Sequence, residues 1–123
     1  MAGQTGNLTV ELFRCVTVDA VAIEHIREEL SPHWQNAPHK FRVFGHGADG
    51  SVHDLFAGQE LVYPRSQLTA SRQAMEIAAP APMGPFRRVT FAFLENMGSA
   101  PYTCVYRVRV FGKHTENDAE CEA

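Results

Sequence analysis

The amino-acid sequence, 123 residues long, predicts a single all-β domain, an antiparallel β-sandwich of about seven short strands. Three observations predict it. Apolar and polar residues alternate in several short runs, the period of a half-buried strand. Clusters of Gly, Pro, Asn and Asp separate those runs. No segment sustains a helical period long enough for a packed helix.

Taken in order, Asn7 to Phe13 places Leu8, Val10 and Leu12 on one face and Thr9 and Glu11 on the other, a first strand. Val18 to Ile26 is a second, in which Val21, Ile23 and His25 share a face, so a polar ring ends an apolar row. Arg27 to Pro38 contains Ser31-Pro32 and Ala37-Pro38 and has no period; it reads as a long loop with a short helical turn around Glu28 to Leu30. Lys40 to Phe44 is a third strand, ended by Gly45, Gly47 and the turn signal Asp49-Gly50. Val52 to Tyr63 supplies a fourth, broken at Gly58 and closed by Pro64, and Gln73 to Ala78 a fifth with Met75 and Ile77 facing the core. Pro80, Pro82 and Pro85 read as a rigid connection lacking three backbone donors. Arg88 to Leu94 is a sixth strand with Val89, Phe91 and Phe93 inward.

Asn96 to Ala100 turns the chain into the seventh strand, Pro101 to Gly112. Alternation there points Tyr102, Cys104, Tyr106, Val108 and Val110 one way, and Thr103, Val105, Arg107, Arg109 and Phe111 the other. Two phenols therefore flank a thiol. On strand position alone, packing with each hydroxyl capped by a carbonyl is the favoured explanation, and a site for a polar ligand group the alternative. Arg107 and Arg109 are expected to be solvated or paired with sheet neighbours. The domain spans residues 6–112, and the polar, acidic, aperiodic residues 113–123 form a disordered tail.

With 45% hydrophobic and 20% charged residues, the composition is that of an ordinary globular domain, with no internal repeat and no dividing linker. A net charge of -3 with scattered basic residues argues against a nucleic-acid surface, which neutralises phosphates. No run approaches the roughly 20 apolar residues that span a bilayer, and Met1 to Asn7 lacks the features of a signal peptide. Three cysteines, Cys15, Cys104 and Cys121, are too few and too scattered for a disulfide framework or a zinc site, and an odd count leaves at least one thiol unpaired. The six histidines, His25, His33, His39, His46, His53 and His114, show neither helical nor compact metal-site spacing, so no metal is assigned and loop positions account for most. No nucleophile elbow is present and nothing cationic shares the face of Cys104, so the chain is not read as an enzyme. Gly45-His46-Gly47 has no following helix to help bind a phosphate.

Four stretches then occur in a telling order: Ala22-Ile23-Glu24-His25-Ile26 with Leu30-Ser31-Pro32; Ala37-Pro38-His39-Lys40-Phe41-Arg42-Val43-Phe44-Gly45; Asn96-x-Gly98; and Tyr102-Thr103-Cys104-Val105-Tyr106 running on to Gly112. Together they make residues from Gly6 to Gly112 resemble the SUN domain in its C-terminal, classical form. The resemblance implies a jelly-roll sandwich, galactose-binding-like in type, that is anchored through other segments in the inner nuclear membrane and sits in the perinuclear space. It further implies trimers that bind the C-terminal tail of a KASH protein, linking nucleus to cytoskeleton in the LINC complex. By the same resemblance His25, Asn36, Tyr102 and Tyr106 line the pocket for the tail's terminal carboxylate, and Cys104 is half of a disulfide. Charge-assisted hydrogen bonds of this kind are worth roughly 1.5–3 kcal/mol each.

The sequence also departs from the pattern. Asn36 stands where the family has Ser, although its amide still donates, and the loop before Ala37-Pro38 is short. In the family a lid that clamps the peptide by strand addition, a cation-binding loop and the cysteine partner of the Cys104 position all precede the strand matching Asn7 to Phe13. No cofactor is therefore expected within these residues, binding is expected to be weakened without the lid's main-chain hydrogen bonds, and a monomer is expected for this chain by itself. Cys104 is left free or paired with Cys15. A reading from another class is a carbohydrate-binding sandwich, with Trp34 and Tyr63 as candidate rim aromatics.

Overall fold

A computed structural model of the chain describes residues 5–24, 37–64, 74–98 and 107–114. Within them lie six strands and, among the described residues, no helix: β1 (Gly6–Glu24), β2 (Pro38–His46), β3 (Val52–Asp54), β4 (Leu61–Val62), β5 (Ala74–Asn96) and β6 (Arg107–His114). The sheet is antiparallel with strand order β3-β2-β5-β1-β6, and β4 pairs with β2.

Two very long strands organise it. The first half of β1, Gly6 to Glu11, pairs with Phe93 to Arg88 of β5, and its second half, Ala20 to Glu24, pairs with Ala78 to Ala74. Between them the register shifts at Glu11/Val16, Val16/Val18 and Val18/Ala20, the mark of bulges that bend a strand pair. Gly84 sits in this bend with φ of 150°, and a Cβ there would lie 2.9 Å from both the Val16 carbonyl oxygen and the Thr17 Cα. No side chain fits, so glycine is required by the close approach of β1.

β2 adds to the Arg88–Asn96 half of β5, whereas β6 adds to the Val16–Glu24 half of β1. The bend thus makes one sheet into two layers. Val18, Val21 and Ile23 from one meet Phe41, Val43, Val89, Phe91 and Phe93 from the other in a single core cluster that also takes in Leu55, Phe56 and Tyr63. Ring pairs at 6.1 Å (Phe41–Phe93) and 6.5 Å (Phe91–Phe93) fill its middle, each buried Phe or Val contributing about 1.5–3 kcal/mol.

Most expected faces are found. Val89, Phe91 and Phe93 point inward, Val108 and Val110 pack on the core, and Phe13, on the Thr9–Glu11 side, is 90% exposed. Three expectations on elements change. The first and second strands are one continuous β1, and the fifth and sixth are one continuous β5 that runs through Pro80, Pro82 and Pro85. These prolines are tolerated because the first half of β5 pairs only with β1 among the described residues, and Pro80 and Pro82 fall in the register shift, where no donor is needed. The fourth strand is two short pieces, β3 and β4, around a turn in which the Phe56 N–H donates to Asp54 Oδ1 at 2.8 Å. Lys113 and His114, assigned to the tail, belong to β6. The loop at 27–36 and the tail at 115–123 lie outside the described residues.

Two substitutions test the packing. Gly45 lies under the buried Phe86 ring, which stacks on His53 at 5.7 Å, and a Cβ at Gly45 would collide with that ring. Gly45→Ala is expected to lower stability by about 1–3 kcal/mol, read from the denaturant midpoint. Ala57, in the turn after β3, has φ of 56°, a left-handed conformation unfavourable to a Cβ. Ala57→Gly is expected to raise stability by up to about 1 kcal/mol in the same assay.

Candidate functional site

All five residues singled out from the sequence, His25, Asn36, Tyr102, Cys104 and Tyr106, lie outside the described residues. The strands that adjoin them in the sequence are described. β1 ends at Glu24, directly before His25, and β6 begins at Arg107, directly after Tyr106; Glu24 and Arg107 are Cα partners across the ladder. Asn36 precedes Ala37, which is fully buried and whose carbonyl accepts the Met97 N–H at 3.0 Å, and Pro38 pairs with the buried Asn96.

Charge at the Glu24 end is distinctive. Glu24 Oε2 lies 4.0 Å from Arg107 Nε and 3.9 Å from Arg109 Nη2. Alternation along β6 explains the pairing, because Arg107 and Arg109 share its outer face and that face meets Glu24. This is the sheet-neighbour pairing expected of the two arginines. One carboxylate thus sits between two guanidiniums, with Glu76 on the same outer face opposite Ala22. Both arginines are about half exposed, at 51% and 47% of their side-chain surface, so each pair is worth only about 0.2–1 kcal/mol. Glu24 Oε2 is itself buried and accepts no hydrogen bond among the described residues. The sequence reading missed this cluster. Its signal was the Arg-x-Arg spacing opposite a Glu that adjoins His25.

On the other layer, Glu95 Oε1 lies 3.5 Å from Lys40 Nζ and 3.9 Å from His39 Nε2, while His39 Nδ1 donates to the Tyr63 carbonyl at 3.0 Å. Tyr63 is 0% exposed and belongs to the core. It is no rim aromatic for a sugar, because its ring is spent on packing; Trp34 lies outside the described residues.

The far end of β2 holds a second polar constellation. His46 Nε2 is 2.6 Å from Thr90 Oγ1, which is 2.8 Å from Thr9 Oγ1. A cavity of about 330 Å³ beside it is lined by His46, the Gly47–Gly50 turn, Arg87 and Arg88. In that turn Ser51 donates from both N–H (3.0 Å) and O–H (2.5 Å) to Asp49 Oδ1, and with its hydroxyl so committed Ser51 Oγ accepts from His53 Nε2 at 2.7 Å. The Ser51 hydroxyl, then the Ser51 N–H, hold the Asp49 carboxyl below the ordinary carboxylate value. Among the described residues no three His, Cys, Asp or Glu side chains converge as metal ligands would.

Cys15 is fully buried in β1 and disulfide-bonded, to a partner outside the described residues.

The Asp49 turn gives a pH prediction. Its folded value is depressed, so its contribution to stability is present above the unfolded carboxylate value and lost as pH falls through the lower folded value. Ser51→Ala is expected to move the Asp49 midpoint upward in an NMR titration and to narrow that acid window.

Comparison with known proteins follows the same lines. The Sad1 / UNC-like C-terminal family matches residues 1–114. SUN domain-containing protein 3 of Bos taurus is 33% identical over 112 residues, covering 89% of this chain and 30% of that protein. SUN domain-containing protein 2 of Arabidopsis thaliana is 29% identical over 119 residues, 95% of this chain and 26% of that protein. The Klaroid protein of Drosophila melanogaster is 31% identical over 113 residues, 90% of this chain and 11% of that protein. The chain thus spans less than a third of each of these relatives. Among solved structures, an F5/8 type C domain from Bacteroides fragilis superposes with a TM-score of 0.66 at 11% identity, over 90% of this chain and 67% of that one. The family 32 carbohydrate-binding module of Streptococcus pneumoniae EndoD gives 0.63 at 14%, over 89% and 71%. These likenesses show a galactose-binding-like sandwich. With motifs in order, a matching sandwich and a family match over nearly its whole length, this chain belongs to the Sad1/UNC-like C-terminal family and is a SUN-type domain.

Proposed function

We propose that this domain is a non-catalytic peptide-binding module that takes the C-terminal tail of a KASH protein, within a larger SUN protein of the nuclear envelope. There it would face the perinuclear space, assemble as a homotrimer and help link nucleus to cytoskeleton. His25, Asn36, Tyr102 and Tyr106 are the proposed ligands of the terminal carboxylate. The observation that supports this reading is the Glu24–Arg107 register, which pairs the two residues that adjoin His25 and Tyr106 in the sequence.

The solved neighbours favour a second reading, a carbohydrate-binding module. The burial of Tyr63 removes one of its two candidate aromatics.

Titration of residues 1–123 with a KASH tail, the same tail C-terminally amidated, and a panel of sugars separates the two. Two or three carboxylate hydrogen bonds without strand addition support weak binding, with a dissociation constant on the order of 0.1–1 mM. Amidation is expected to weaken it at least tenfold, and Tyr106→Phe and His25→Ala to weaken it with little change in thermal midpoint. Binding indifferent to amidation, or sugar binding with no response to peptide, overturns the peptide reading. A tight complex with residues 1–123 contradicts the proposed dependence on a lid.

A further inference from the structure

We infer that Asn7 is an N-glycosylation acceptor, carrying one oligosaccharide on the outer face of β1. Asn7-Leu8-Thr9 has the Asn-x-Thr spacing that this transfer requires, with Leu and not Pro in the middle. Of the four asparagines, Asn7, Asn36, Asn96 and Asn117, only Asn7 has a hydroxyl residue two positions on. Its setting in the fold suits a glycan. Val10 and Leu12 pack on the core, so alternation puts Asn7 on the opposite, outer face with Thr9 and Glu11. There Asn7 is exposed, and its side chain makes no hydrogen bond among the described residues. Its cross-strand partner is the short Ala92, and the Gly6–Glu11 half of β1 has no second strand on its other flank among the described residues. A bulky, hydrated group can stand off this surface without displacing a contact.

Topology also leaves the acceptor open during synthesis. In the folded sheet the Thr9 hydroxyl is bonded to Thr90 Oγ1 at 2.8 Å, so a transferase has to engage this segment before the ladder closes. Thr90 is made 81 residues after Thr9, which at 5–20 residues per second leaves the segment unpaired for about 4–16 s. The compartment agrees. Cys15 is disulfide-bonded, the mark of an oxidising lumen, and such a lumen is where N-glycans are added. The inference rests on the proposed placement of the domain in the perinuclear space, and not on peptide binding.

The step is a group transfer from a lipid diphosphate-linked oligosaccharide. Asn7 Nδ2 attacks the anomeric carbon of the first sugar, and the new C–N bond forms as the bond from that carbon to the diphosphate oxygen breaks. The lipid diphosphate leaves with the electron pair, and one Nδ2 proton passes to a base of the transferase. No oxidant or reductant is needed. A glycan at Asn7 keeps the outer face of Gly6–Glu11 in solvent, so contacts with further copies or with a peptide fall on other surfaces of the sandwich.

The test expresses the 123-residue chain behind a cleavable secretory leader in eukaryotic cells and, in parallel, the larger SUN protein that contains it. The expected result for both is a glycan removed by peptide:N-glycosidase, with Asn7 recovered as Asp in the mapped peptide. In the leader-directed chain Asn7→Gln and Thr9→Ala should abolish the mobility shift, whereas Thr9→Ser should keep it. Asn7→Gln should leave the thermal midpoint of the unglycosylated chain unchanged, because an exposed side chain without a partner is replaced, so its lost shift is not lost folding. A leader-directed chain with no removable glycan, or a shift that survives Asn7→Gln or Thr9→Ala, overturns the inference. A glycan on the leader-directed chain with none at Asn7 of the larger protein supports the acceptor and overturns instead the perinuclear placement.

Discussion

The structure depends on the antiparallel pairing of β1 with β5, carried around a bend. Every other described strand joins the sheet through this pair: β2, and with it β3 and β4, on the Arg88–Asn96 half of β5, and β6 on the Val16–Glu24 half of β1. Were β1 and β5 straight, the two halves would expose their apolar faces to opposite ends of a flat sheet. The bend brings Ile23 and Val21 over Phe41 and Phe93 and closes one core. Its materials are local and steric: a glycine where β1 presses on β5, and register shifts that accept prolines without stranding a hydrogen bond.

The same ladder that builds the core arranges the polar ends. Because β1 and β6 are in register up to Glu24 and Arg107, residues remote in sequence leave the sheet side by side, and the outward arginines of β6 gather on one carboxylate. The charges add little to stability at their exposure. At the opposite end of β2, His46 and its threonine partners have a structural explanation in cross-strand hydrogen bonding, as do His39 and His53 in theirs. This is how an ordinary sheet absorbs histidines that a sequence presents as candidate ligands.

Strand faces were legible because alternation is a local rule. Val89, Phe91 and Phe93 needed no knowledge of partners. Strand continuity was not legible. Prolines and weak alternation interrupt the pattern at the bend, and only pairing shows that the chain stays extended there, with no second neighbour among the described residues. Tyr63 misled for a related reason: an aromatic beside Pro64 reads as a rim residue until β4 is seen to turn it into the core. Of the candidate site, the motif residues were found by resemblance, whereas Glu24 with Arg107 and Arg109 emerged only when two strands were laid in register.

The sequence by itself determined the all-β class, the inward faces and the family, since each is written in short-range spacing or in ordered motifs. The tertiary structure decided which strands are continuous, which histidines and aromatics are structural, and that Cys15 is oxidised. Those depend on which distant segments become neighbours, and that is fixed by how one bent strand pair folds its sheet over a shared core.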